Sequence, residues 1–127
     1  MYMLDTCTFI WYILDDDNLS QAAKDAISGS DTVCISYATL WEITIKQTTG
    51  KLSILSMNVY ELAELCRDNG IIILPLKLSY LSRLRKLPLI HRDPFDRIII
   101  ASAITEGYTL LTNDGEIVKY QDVKTLW

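Results

Sequence analysis

Residues 91–114 read HRDPFDRIIIASAITEGYTLLTND. Asp93 followed by Pro94 is a helix cap followed by proline at the first helical position, where a missing N–H costs nothing. The residues after it, through Glu106, predict a helix that is almost all apolar from Ile98 to Ala103, and Gly107 ends it. Tyr108–Leu111 then reads as a strand, with Asp114 just beyond its carboxyl end. Asp96, at the third helical position, suits the positive end of the helix dipole. A helix, a glycine stop, a short apolar strand and a polar turn make up the repeating half of an α/β fold.

The same grammar extends outward in both directions. Tyr2–Leu4 is a short apolar strand that ends in Asp5. Helices are predicted at Thr6–Leu14, Ser20–Ser28, Tyr37–Thr49, Asn58–Asn69 and Ser79–Lys86, with Ser20 as a cap and Gly29, Gly50 and Gly70 as stops. Buried strands are predicted within Asp31–Ser36, at Ile71–Leu74 and at Val123–Leu126, with a short helix over 115–120. The strands are continuous apolar runs separated by helices. That pattern belongs to a mainly parallel sheet covered on both faces, a three-layer α/β/α sandwich.

Bulk properties narrow the function. A chain of 127 residues, half of them hydrophobic, makes one domain spanning 1–127 with a sizeable core. No apolar run is long enough to span a membrane, and the start MYMLD has no secretory pattern. Cys7, Cys34 and Cys66 have no metal-site spacing and sit among apolar residues, so buried reduced thiols and a cytoplasmic protein are expected. The net charge of −4 excludes a coat that grips nucleic acid mainly by neutralising phosphates. Action on a phosphodiester would then need metal ions in an acidic pocket, with a local basic patch (Arg83, Arg85, Lys86, Arg92, Arg97) or a solvated helix face elsewhere.

Ligands of open parallel sheets sit beyond the carboxyl ends of the strands. Asp5 and Asp114 fall there, and Asp96 lies in the first turn of the helix leading to the last of these strands. Each has a local alternative: Asp5 and Asp114 as caps, Asp93 as the cap of the long helix. Glu42 is different. It lies in TLWEITIK, flanked by Leu40, Trp41, Ile43 and Ile45, and Trp41 is expected to pack in the core. A glutamate in such a helix is dehydrated unless a partner satisfies it: Lys46 four residues on, or a metal. Four carboxylates meeting in one pocket would favour a hard divalent cation, Mg²⁺ or Mn²⁺, over zinc, because His91 stands alone.

Four segments in order, LDTCTFIW, SYATLWEITIKQTTGKL, HRDPFDRIIIASA and YTLLTND, resemble the PIN-domain ribonucleases, especially VapC-type toxins of toxin–antitoxin pairs. The resemblance covers essentially the whole chain. It implies a PIN-like α/β/α fold, an acidic catalytic and metal site of Asp5, Glu42, Asp96 and Asp114, and Mg²⁺- or Mn²⁺-dependent endoribonuclease activity. It also implies a homodimer and a cognate antitoxin whose C-terminal segment lies over or near that site. Arg92, Arg97 and Lys46 are then candidates for contact with the RNA substrate. Asp93, Thr6, Thr112 and Asn113 are candidates for orienting the carboxylates or water, and His91 for local structure or a phosphate contact. The competing classes are a metal-dependent phosphatase or phosphotransferase and a non-catalytic PIN-like binding module. The first wants a second acid two residues after the nucleophilic aspartate, where this chain has Cys7; the second would be favoured by loss of Glu42 or Asp96.

Overall fold

A computed structural model of the chain describes residues 1–52 and 56–127. Five strands form one sheet: β1 (Tyr2–Leu4), β2 (Val33–Ser36), β3 (Ile71–Leu74), β4 (Thr109–Leu111) and β5 (Lys124–Leu126). Their order is β3-β2-β1-β4-β5 and every pairing is parallel. Six helices fill the connections: α1 (Thr6–Ile13), α2 (Gln21–Gly29), α3 (Tyr37–Thr48), α4 (Val59–Asp68), α5 (Leu78–Lys86) and α6 (Pro94–Glu106). A single 3₁₀ turn, Ile117–Lys119, stands where a short helix is expected over 115–120.

Successive strand residues point to opposite faces, and both faces are roofed by helices. Met3, Cys34 and Leu110 pack with Tyr80 of α5 and Ile99 and Ile100 of α6. Leu4, Ile35 and Leu111 pack with Phe9 of α1, Ala23 of α2, Ile43 of α3 and Leu62 of α4. This double cover is why the central strands carry no polar alternation. At the edge the rule weakens. β3 pairs on one side only, and Ile72 within it is half exposed rather than buried as expected.

Helix ends follow their capping residues. Ser20 accepts from the Ala23 amide, and Asn58 and Glu61 make a reciprocal capping box. Gly107 has φ 72° and closes α6 in the left-handed region, which costs a residue with a Cβ about 1–2 kcal/mol.

Two expectations about side chains need correction. Cys34 and Cys66 are buried, but Cys7 is exposed, because α1 turns that side toward the carboxyl edge of the sheet. Trp41 is 58% exposed and stacks edge-on against Phe95 at 5.1 Å, so it lies outside the core. Helix α3 therefore buries Glu42 while exposing the tryptophan beside it.

The strand order determines where a site can form. The chain runs outward from β1 to β2 and β3, then returns to build β4 and β5 on the other side. β1 thus sits between β2 and β4, at the reversal where a crevice opens above the carboxyl ends.

Candidate active site

Asp5 follows β1 and does two jobs. Its Oδ1 accepts the Thr8 amide at 2.8 Å, which caps α1, and its Oδ2 accepts the Thr112 hydroxyl. The same Thr112 oxygen accepts the Asp114 amide at 3.0 Å. One threonine at the end of β4 thereby fixes the carboxylate after β1 relative to the loop after β4. Asp5 is 4% exposed.

Asp93 organises the start of α6, with Oδ1 accepting the amides of Phe95 (2.8 Å) and Asp96 (3.2 Å). That cap leaves the Asp96 side chain free to turn inward, where its Oδ2 lies 3.1 Å from His91 Nε2. Asp114 Oδ2 lies 2.8 Å from the same nitrogen, and its Oδ1 accepts the Glu116 amide at 2.8 Å. Asp5, Asp96, Asp114 and Asn113 line one cavity of about 200 Å³, walled by Cys7 and Trp11. The structure contains larger cavities; this one is distinguished by its carboxylates.

Glu42, on α3, does not line that cavity, but its charge acts on Asp96. It is 4% exposed, and its Oε2 pairs with Lys46 at 2.7 Å. Its Oε1 is buried with no hydrogen-bond partner among the described residues. The lysine and the metal readings of Glu42 are therefore compatible: one oxygen is matched and the other is not. A buried carboxylate oxygen without a donor costs about 1–3 kcal/mol or more.

Mutual repulsion marks the convergence. Burial pushes the Asp96 carboxyl up to about 7, and the charges of Asp93, Glu42 and Asp5 push the same way against His91. Burial likewise raises Asp5, against its bonds to Thr112 and Thr8, and the Asp114 charge adds to the rise. Burial alone would also raise Asp114, but the His91 bond and the Glu116 amide bring it below its usual value. Burial opposes a charge on His91, yet the bond to Asp114 and the neighbouring aspartates carry it upward overall. Cys7 is exposed as a residue, but its sulfur is partly enclosed by the cavity wall; that desolvation, with the charge of Asp5, pushes the thiol up to about 11, so it stays protonated at neutral pH.

Such a donor set fits a hard divalent cation. It offers carboxylate oxygens, one of them orphaned, and a carboxyl that resists ionisation without a counter-charge. Asp5, Asp96 and Asp114 present carboxylates to the cavity, and His91, Asp96 and Asp114 form a ligand-spaced group among the described residues.

Other expected residues fall differently. Both terminal nitrogens of Arg97 are spent inside the protein: Nη1 donates to Pro88 O (2.8 Å) and the Tyr120 hydroxyl (3.1 Å), Nη2 to the carbonyls of Leu84 and Leu87 (3.4 Å each). It clasps the α5–α6 connection while still lining the surface cleft that holds Arg92. Thr6 donates to Thr39 (3.2 Å) rather than to a carboxylate, tying α1 to α3. Arg92 is exposed beside His91 in a surface cleft with Leu89 and Pro94. Sequence reasoning missed two participants, the bridging role of His91 and the buried Tyr120 hydroxyl, which accepts both Arg97 and the His91 amide (2.9 Å). No spacing rule connects residue 120 to residue 91; only the tertiary fold does.

The chain is 28% identical to ribonuclease VapC22 of Mycobacterium tuberculosis, over 98% of this chain and 97% of that one. Among solved structures it resembles VapBC2 from Rickettsia felis bound to a promoter DNA fragment, with TM-score 0.71 and 17% identity over 98% and 96% of the two chains. It also resembles the sarcin-ricin-loop-cleaving toxin VapC20 of Mycobacterium tuberculosis, with TM-score 0.65 and 13% identity over 98% and 99%. At these identities the structures show a shared fold. Residues 2–123 match the family described as the PIN domain, and with the parallel sheet and its acidic cleft they establish that the chain belongs to the PIN-domain family.

Proposed function

We propose that this chain is a divalent-metal-dependent endoribonuclease and the toxin of a toxin–antitoxin pair. One observation carries the chemistry: three aspartates from distant parts of the chain line one cleft, while a buried glutamate beside them keeps an oxygen without a donor. The 28% identical relative is named a ribonuclease, and a solved relative from Klebsiella pneumoniae is described as a toxin–antitoxin complex, which supports RNA as substrate and an antitoxin as partner.

A divalent ion held by Asp5, Glu42, Asp96 and Asp114, Mg²⁺ or Mn²⁺ by its oxygen donors, supplies Lewis acidity toward the phosphodiester and lowers the pKa of attacking water. The chain's own residues supply position. Thr8 and Thr112 fix the Asp5 carboxylate, and Asp93 aims Asp96 through the α6 amides. Lys46 offsets part of the charge on Glu42. Arg92, exposed at the rim, is the cation left for the RNA backbone once Arg97 is committed to carbonyls. No helix among the described residues is long and apolar enough to cross a membrane, compatible with action on cytoplasmic RNA.

The test is cleavage-site mapping on total cellular RNA with purified protein and Mn²⁺. Discrete new ends that vanish with a chelator support the reading. Intact RNA under all metal conditions refutes it.

The homodimer has a seat. Trp41, Leu76 and Leu81 are about half exposed and, with Leu84, Phe95 and Ile98, line an apolar groove of about 340 Å³ along α3, α5 and α6. Leu78, 84% exposed, extends the patch. Such a surface is costly to leave in water. Trp41→Glu is expected to turn a dimer into a monomer in sedimentation equilibrium with little change in melting temperature, since Trp41 is not core. A dimer unchanged by Trp41→Glu would place the contact elsewhere.

A further inference from the structure

We propose that His91 is a positioning residue of the metal centre: its Nε2–H bridges the Asp96 and Asp114 carboxylates at ligand spacing, and the ring itself does not ligate the metal. The inference rests on the metal reading above and goes beyond it, because proximity alone suggests the opposite. His91 Nε2 and one oxygen each of Asp96 and Asp114 lie within 4.8 Å of one another, the arrangement of a three-ligand site. A separate sign comes from Glu42, whose charge acts on Asp96 and whose Oε1 is buried with no hydrogen-bond partner among the described residues.

The other ring nitrogen decides between the roles. His91 Nδ1 lies 3.1 Å from the Asp93 backbone nitrogen and accepts its N–H. A backbone amide can only donate, so Nδ1 carries a lone pair in this bond. In the neutral ring the proton then sits on Nε2. That proton points at two acceptors, Asp114 Oδ2 at 2.8 Å and Asp96 Oδ2 at 3.1 Å. A metal on Nε2 would need the lone pair there and the proton on Nδ1, which would set two N–H groups against each other at Asp93. Metal-bound histidines normally aim their second nitrogen at an acceptor; this one faces a donor.

The donor cannot easily turn away. Asp93 caps α6 through its side chain, and Pro94 fixes the next backbone dihedral. The His91 amide is held by the hydroxyl of Tyr120, which is buried. The ring is therefore braced on both sides. Among the described residues no other group ties the two it braces: Asp96 stands on α6, Asp114 follows β4, and without the shared N–H the two carboxylates repel. Outer-shell groups of this kind typically contribute about 10–100-fold to metal affinity.

Glutamine separates the roles, because its side-chain amide supplies an N–H donor at a similar reach without an imidazole nitrogen. Mn²⁺ affinity is measured by calorimetry for wild type, His91→Gln and His91→Ala, and Mn²⁺-loaded wild type is examined by electron spin-echo modulation. The expected result is no ¹⁴N coupling from a coordinated imidazole, affinity within about threefold of wild type for His91→Gln, and a loss of about tenfold or more for His91→Ala. Long-range ¹H–¹⁵N spectra of the metal-free protein are expected to show the Nε2–H tautomer, a readout that needs no variant to fold. A coordinated ¹⁴N signal, a Gln variant as weak as the Ala variant, or wild-type affinity in the Ala variant would each overturn the proposal. Wild type that binds no Mn²⁺ would remove the metal reading itself, an outcome distinct from the others.

Discussion

Asp5→Asn and Asp96→Asn are each expected to lose RNA cleavage by at least about 100-fold, and Asp96→Asn to become more heat-stable without metal. The activity estimate starts from the known cost of disturbing groups one step removed from a metal, about 10–100-fold; removing a carboxylate that would hold the ion directly should cost no less. The stability gain follows first from the burial of a charge and then from repulsion. Asp96 is pushed up to about 7 by burial and by Asp93 and Glu42, so its charged form at pH 7.5 is disfavoured by on the order of 4 kcal/mol. Relaxation around His91 and entry of water will recover part of that. Even 1–2 kcal/mol corresponds to a rise of roughly 4–8 °C for a domain of this size. Asparagine caps helices about as well as aspartate, so the bond from Thr8 to residue 5 survives. The combination is what discriminates. A purely structural role for these aspartates predicts little change in either quantity, and a destabilised, inactive variant would indicate misfolding. Measured cleavage within threefold of wild type in both variants would reject the catalytic assignment.

That opposition between stability and function also explains what could be read from the sequence. The fold was legible because its signals are local and agree with one another. Ser20, Asn58 and Asp93 cap helices where capping residues are expected, and Gly107 stops α6 in the conformation glycine favours. The three central strands read as continuous apolar runs because both sheet faces are covered. The meeting of Asp5, Asp96 and Asp114 in one cleft was legible at one remove, since strand ends at a topological reversal point to a crevice. It needed β1 between β2 and β4, which is the order found.

What the sequence hid depends on side-chain direction and on distant pairing. Trp41 looks like core in a string of apolar residues, but α3 sets it on the opposite side from buried Ile43. Arg97 looks like a phosphate contact by charge, and only the tertiary structure reveals four oxygen acceptors around it. Cys7 looks buried among Thr6, Thr8 and Phe9, and is the one of the four that faces out. His91 looks isolated because its partners lie 5 and 23 residues away, the second on another element. In each case the residue type is informative and the partner facing it is set by the tertiary fold alone.

Mn²⁺ is expected to raise the melting temperature strongly at pH 7.5 and weakly at pH 5.5. The sign comes from the groups that line the cleft. Asp96 has a folded-state pKa of about 7 against 3.8 in the unfolded chain. Between those values the native state holds a proton that the unfolded state has lost, so metal-free stability falls as pH rises through this window. His91, raised above its ordinary value, acts in the same direction: its contribution is present below about 6.5 and lost as pH climbs through the folded-state value. Asp114, lowered, contributes only to losses well below pH 5. A cation takes the place of the Asp96 proton and must displace it at low pH, so apparent affinity drops by up to tenfold for each unit below 7. For a dissociation constant of about 0.1 mM at pH 7.5, 10 mM Mn²⁺ stabilises the fold by about 2.7 kcal/mol. At pH 5.5 the constant weakens to roughly 3 mM and the gain shrinks to under about 1 kcal/mol by the same relation. In degrees these are rises of about 10 and about 3 °C. Asp96→Asn removes the main competing proton, so its smaller metal-induced rise should depend on pH less steeply, with Asp5 and His91 leaving a residue of the trend. Equal rises at both pH values in wild type, or an undiminished rise in Asp96→Asn, would mean that Mn²⁺ binds somewhere other than the cleft where Asp5, Asp96 and Asp114 meet.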